Sequence, residues 1–122
     1  MPAGQETLLV VDDEEIIRLS MARFFEAFGY KVLVAPDGRA GLDLYRAHRA
    51  EIALVLLDMS MPGMPGIEVL DELQRLDPAV KIMVFSGDQN KSEHLGDRVA
   101  AVVSKPPQPE RFIVQVREAI DA

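Results

Sequence analysis

Leu8-Leu9-Val10-Val11-Asp12-Asp13 is an apolar run that stops at two carboxylates. Three later runs stop in a comparable way: Leu54-Val55-Leu56-Leu57 at Asp58, Ile82-Met83-Val84-Phe85 at Ser86, and Val99-Ala100-Ala101-Val102-Val103 at Ser104 and Lys105. Short continuous apolar runs bounded by turn residues read as strands buried on both faces. As parallel strands of one sheet they bring their carboxyl ends side by side. Three carboxylates, a hydroxyl and an ammonium then share one edge, a set of groups suited to Mg2+ and a phosphoryl group.

Working outward, five runs read as strands, over about 8–12, 31–35, 52–57, 81–86 and 99–104, with helical patterns between them. Ile17, Met21, Phe24 and Phe28 are spaced 4-3-4 along one helical face, and Gly29 supplies the stop. A second, shorter helix after Asp37-Gly38 turns Gly41, Leu42 and Tyr45 inward, with Gly41 permitting close approach to the sheet. A third starts near Gly66, buries Val69, Leu70 and Leu73, and ends before Asp77-Pro78, where the proline disfavours a helical residue ahead of it. The last begins near Glu110 and carries Phe112, Val116 and Ile120 at i, i+4, i+8.

Strands alternating with helices at this spacing mean βαβ units with right-handed crossovers. The predicted fold is α/β, a single doubly wound (βα)5 domain with a five-stranded parallel sheet of order 2-1-3-4-5, flavodoxin-like. In that order strands one and three are neighbours, and ligands bind beyond their carboxyl ends. The predicted division is a flexible segment over 1–7 and a domain over 8–122.

The 122 residues suffice for one buried core. Twenty acidic against thirteen basic side chains, net charge −7, argue against direct nucleic-acid binding. The absence of cysteine excludes disulfides and thiolate metal sites. No apolar stretch approaches the ~20 residues that span a bilayer, and no signal peptide is evident. These features predict a soluble, cytoplasmic protein that makes no membrane contact and acts through other proteins.

Taken singly, an acid at a strand end caps the next helix, and a lysine after a strand is solvated. Their arrival at one edge carries the functional reading. At ~4 Å and an effective dielectric of ~20, each pair of like charges costs about 4 kcal/mol. A proton or a divalent cation offsets that repulsion, and an all-oxygen donor set suits Mg2+ rather than zinc.

The chain resembles the receiver domains of two-component response regulators. The resemblance rests on Val10-Val11-Asp12-Asp13-Glu14, on Leu57-Asp58 with Met61-Pro62-Gly63 and Gly66, on Ser86-Gly87 and on Lys105-Pro106. It implies that Asp58 accepts a phosphoryl group from a histidine kinase or histidine phosphotransfer protein. Asp13, Asp58 and the Ser60 carbonyl would bind Mg2+ directly, with Asp12 assisting through water. Ser86 and Lys105 would each contact a phosphoryl oxygen, and Gly87 leaves room beside Ser86. The resemblance further implies a cis Lys105-Pro106 bond, a water path lined by Ser60 and Asp88 that sets the phosphoryl lifetime, and output to a downstream protein target. The chain is expected to be a monomer or weak phosphorylation-dependent dimer, and no enzyme beyond its own phosphorylation and dephosphorylation.

Two departures stand out. Receiver domains usually carry a rotating Tyr or Phe three residues before the lysine, and here the position is Val102. The interval from Ser86 to Lys105 is also short for the family and contains Gly87, Asn90 and Gly96, so its helix is expected to be short, irregular or mobile. Met59, Met61 and Met64 read as packing residues, and His48 and His94 as surface histidines.

Two other classes share parts of the pattern. An FMN-binding flavodoxin needs a Ser/Thr/Gly-rich phosphate loop after strand one, where this chain has Asp12, Asp13, Glu14 and Glu15. A Mg2+-dependent phosphohydrolase with an aspartyl nucleophile carries Asp-x-Asp on strand one. Within the receiver reading, a stand-alone regulator, a module of a hybrid sensor kinase and a phosphorylation-independent pseudo-receiver remain open alternatives.

Overall fold

The computed structural model describes residues 4–87, 93–104 and 107–122. Its five strands are β1 (Thr7–Val11), β2 (Lys31–Ala35), β3 (Ile52–Asp58), β4 (Ile82–Ser86) and β5 (Ala101–Ser104). They form one parallel sheet in the order β2-β1-β3-β4-β5, as the alternation of patterns predicts. Among the described residues four α-helices flank it: α1 (Glu15–Glu26), α2 (Gly38–His48), α3 (Gly66–Leu76) and α4 (Pro109–Asp121).

Side-chain alternation along the central strands splits the core in two. Leu8, Val10, Leu54, Leu56, Met83 and Phe85 face α1 and α4, where Phe25, Phe112 and Val116 meet them. Leu9, Val11, Val55, Leu57, Ile82 and Val84 face α2 and α3, against Leu42, Tyr45, Val69, Leu70 and Leu73. Both faces are covered, so the central strands are apolar throughout rather than alternating. Gly41 sits where the sequence predicts a close approach: a Cβ there would lie 2.8 Å from Val11 Cγ2.

Some boundaries differ from expectation. β1 starts at Thr7 and ends at Val11, leaving Asp12 beyond the strand, and β5 starts at Ala101 rather than 99. On α1, Met21 and Phe25 are the buried pair, while Ile17, Phe24 and, in the turn just past the helix, Phe28 pack against the core from half-buried positions. The buried residues stand at i, i+4, and Phe24 lies beside them on the same broad stripe. Its ring stacks on Phe112 with centroids 6.2 Å apart.

The described part of the segment between β4 and β5 is irregular, as the length of the interval predicts. Its described part is a 3-10 stretch, Glu93–Arg98, broken at Gly96 (φ 49, ψ −125). Leu95 is fully buried in the core of the α2 and α3 face. Arg98 pairs with Asp71 and bonds Gln74 Oε1, while Gln74 Nε2 donates to the Arg98 carbonyl at 2.8 Å. These contacts fasten the segment to α3.

Before β1, the Gly4 amide donates to Phe28 O at 3.2 Å and the Glu6 carbonyl accepts from Lys31 at 3.0 Å. Glu6 pairs with Arg117 of α4, and the guanidinium holds its carboxyl down at about 2. At the amino-terminal end of the sheet, Tyr45 donates to Asp77 at 3.1 Å and joins α2 to the end of α3. Burial, with that carboxylate beside it, pushes the Tyr45 hydroxyl up to about 12.

Candidate phosphoacceptor site

Strand register sets the site. Val11 pairs with Leu57, so Asp12 and Asp58 each lie one residue beyond a matched pair on neighbouring strands. On the next strands Asp58 pairs with Phe85, and Ser86 with Ser104. Asp12, Asp13, Asp58 and Ser86 therefore arrive at one edge, as read from the sequence. Carboxylate oxygens of Asp12, Asp13 and Asp58 all lie within 4.8 Å of one another.

Each acid is held differently. Asp12, 1% exposed, donates its amide to Ala35 O at 3.1 Å, and its Oδ1 accepts from the Glu14 amide at 2.9 Å in a turn that leads into α1. Its carbonyl accepts from Arg18 Nη1 at 2.7 Å. Asp13 is exposed. Asp58, 1% exposed, ends β3, and its Oδ1 accepts from the Ser60 amide at 2.9 Å, which fixes the plane of the carboxylate.

The loop beyond Asp58 is held close. The Met59 amide donates to Phe85 O at 2.9 Å. A Cβ on Gly66 would lie 2.7 Å from Met59 Cα, so only glycine lets α3 start against this loop. Met59, Met61 and Met64 pack in the core of the α2 and α3 face, which accounts for all three without a soft-metal role.

Ser86 is buried at the end of β4, and Gly87 beside it has open space where a side chain would project. Ser60 is exposed and reaches Asp58 through its amide. Lys105, the cis Lys105-Pro106 bond and Asp88 lie outside the described residues, as does the side chain of His94. His48 is half-buried, with Nδ1 3.7 Å from Glu51 Oε2. Val102 is half-buried on the edge strand, in register with Val84.

Two buried carboxylates and one exposed one within 4.8 Å form a hard, all-oxygen donor set. That chemistry fits Mg2+, which keeps several waters and needs few protein ligands. A carboxylate placed there is also an adequate nucleophile toward phosphorus once the phosphoryl charge is neutralised. Sequence reasoning missed Arg18. The signal available was its place six residues after Asp12 on a helix that starts at the site.

Residues 8–117 match the response regulator receiver domain family. Sporulation initiation phosphotransferase F of Bacillus subtilis is 36% identical over 81 residues, covering 66% of this chain and 64% of that protein. The sensor kinase CckA of Brucella abortus is 33% identical over 85 residues, 70% of this chain but 9% of the kinase. The structure of response regulator protein TrrA from Thermotoga maritima, in complex with Mg2+ and BeF, superposes with a TM-score of 0.83 at 26% identity, covering 93% of this chain and 98% of that one. The chain spans 42% to 64% of the length of the first four curated relatives it matches. It belongs to the response regulator receiver domain family.

Proposed function

We propose that this receiver domain takes a phosphoryl group onto Asp58 from a phosphohistidine of a histidine kinase or histidine phosphotransfer protein, with Mg2+. Its signal then passes through contacts with a downstream protein target. The observation that carries the reading is the convergence of Asp12, Asp13 and Asp58 at the edge where β3 ends. TrrA, whose structure holds Mg2+ and BeF, supports it by similarity of fold.

An Asp58 oxygen attacks phosphorus in line, and the phosphorus–nitrogen bond to the donor imidazole breaks. The imidazole nitrogen keeps the electron pair and takes up a proton. An acyl phosphate is left on Asp58, and attack by water returns the carboxylate and inorganic phosphate. Ser86 donates its hydroxyl to one phosphoryl oxygen and Lys105 pairs with another. Ser60 and Asp88 tune the approach of water.

Asp13, Asp58 and the Ser60 carbonyl would hold Mg2+ directly, with Asp12 acting through water. Bound there, the ion would offset the repulsion among the carboxylates and neutralise phosphoryl oxygens. The chain acts on itself alone, in the cytoplasm, as a monomer or weak phosphorylation-dependent dimer. No helix among the described residues is long and apolar enough to cross a membrane.

The match to part of CckA favours a second setting, as one module of a hybrid sensor kinase, with the same chemistry at Asp58. Intact-mass spectrometry after incubation with Mg2+ and acetyl phosphate tests the shared core of both settings. One added phosphoryl group, absent in Asp58→Asn, is expected. No uptake would leave a phosphorylation-independent pseudo-receiver.

A further inference from the structure

Helix α1 brings a positive charge to the acidic edge. Arg18 is half-buried on α1, and its Nη1 donates to the Asp12 carbonyl at 2.7 Å. The bond goes to a neutral oxygen rather than to a carboxylate, so it places a cationic side chain one hydrogen bond from the backbone of Asp12 without pairing it to an acid. Asp12 is bonded independently at its amide by Ala35 and at Oδ1 by Glu14.

We propose that Arg18 is a built-in counter-ion of the acidic site, holding the metal-free edge together against carboxylate repulsion and lowering the site's affinity for Mg2+. The inference rests on reading the site as a Mg2+-dependent phosphoacceptor. Arg18 acts on that site in two opposed ways. As a donor it fixes the end of β1, and losing that bond weakens ion binding. As a charge it repels a divalent cation, and losing it strengthens binding.

The charge effect dominates. The Ala35 and Glu14 bonds keep Asp12 in place without Arg18, whereas the neighbouring N-cap Glu14 and first-turn Glu15 are acidic and supply no replacement charge. Arg18 is thus a positioning residue for the metal-free state. Its charge moves Mg2+ occupancy to higher Mg2+ concentration than the acids alone would require.

The test is calorimetric titration of the unphosphorylated chain with MgCl2, for wild type, Arg18→Met and Arg18→Lys, with thermal unfolding in chelator and in saturating Mg2+. Arg18→Met is expected to bind Mg2+ about three- to tenfold more tightly, the scale of one unit charge near a partly solvated ion. It should melt at a lower temperature than wild type in chelator, with the gap narrowing in Mg2+. Arg18→Lys should stay within about twofold of wild type, because it keeps the charge. A purely structural role predicts weaker binding in Arg18→Met, and equal or weaker binding overturns the proposal. Should Arg18→Met not fold, Arg18→Gln carries the same expectation and the same overturning result. Wild-type protein that takes up no Mg2+ contradicts the phosphoacceptor reading itself, whereas wild-type uptake with unchanged variants overturns the counter-ion alone.

Discussion

β3 and β5 lie in the same sheet and end at the same edge, yet they are held very differently. The last five residues of β3 are buried, and its final residue is Asp58. β5 has four residues, of which Val103 alone is buried, and its final Ser104 is exposed. β3 continues through its loop into the regular helix α3, whereas β4 is joined to β5 by a segment whose described part is a broken 3-10 stretch. The contrast separates the acidic edge at β1 and β3 from the far side of the sheet. The acids sit at or just beyond the ends of strands fixed by burial on both faces, while the segment leading to β5 is fastened by the Leu95 side chain and an exposed polar clamp.

Matched truncations test that difference most strongly. Leu56→Ala and Leu95→Ala both remove a fully buried leucine. Cavity-forming changes of this kind cost about 2–5 kcal/mol. Leu56→Ala, in the middle of β3, is expected near the top of that range and Leu95→Ala near the bottom, because a short segment relaxes around the missing atoms. Urea unfolding of both variants measures the gap. Equal losses would show the segment to be as integrated as the central sheet.

The next effect concerns the other end of the chain. With its folded value near 2 against an ordinary 4.5, Glu6 adds stability that is present above pH ~4.5 and is lost as pH falls from there toward 2. Its side chain is about a third exposed, so screening limits the contribution to about 1 kcal/mol. Glu6→Gln should be less stable than wild type by that amount at pH 7, and the difference should shrink toward pH 3. A difference that stays constant with pH would assign it to packing rather than to the ion pair with Arg117.

The smallest expected effect is at the clamp. Arg98→Ala removes an exposed ion pair and its bonds to Gln74 and should cost less than about 1 kcal/mol globally. Local opening is the sharper readout, so hydrogen exchange across 95–100 should quicken while that of β1 and β3 does not change. Equal changes in both regions would remove the contrast.

Four of the five strand ends were legible in the sequence because buried parallel strands are continuous apolar runs and because a polar residue stops each of those four. Topology followed from the alternation of patterns, and with it the meeting of Asp12, Asp13 and Asp58. Local periodicity could not tell Phe25 from Phe24 as the deeper residue of α1, since both lie on one stripe and the packing of Phe112 decides between them. Nor could it show Arg18 on the Asp12 carbonyl, Arg98 on Asp71 or Arg117 on Glu6. Those pairs depend on where separate elements come to rest, and one arginine looks like another in a sequence. The short connection to β5 was legible from length and glycine content, but its anchoring through Leu95 was not.

The central claim is that the reactive group is the carboxylate at the end of β3. Hydroxylamine converts an acyl phosphate into a hydroxamate and leaves a serine phosphate intact. After treatment with Mg2+ and acetyl phosphate and then with hydroxylamine, peptide mass spectrometry should place a single hydroxamate at Asp58, absent in Asp58→Asn. A hydroxamate at Asp12 or Asp13, or a phosphate that survives on Ser86, would contradict the account.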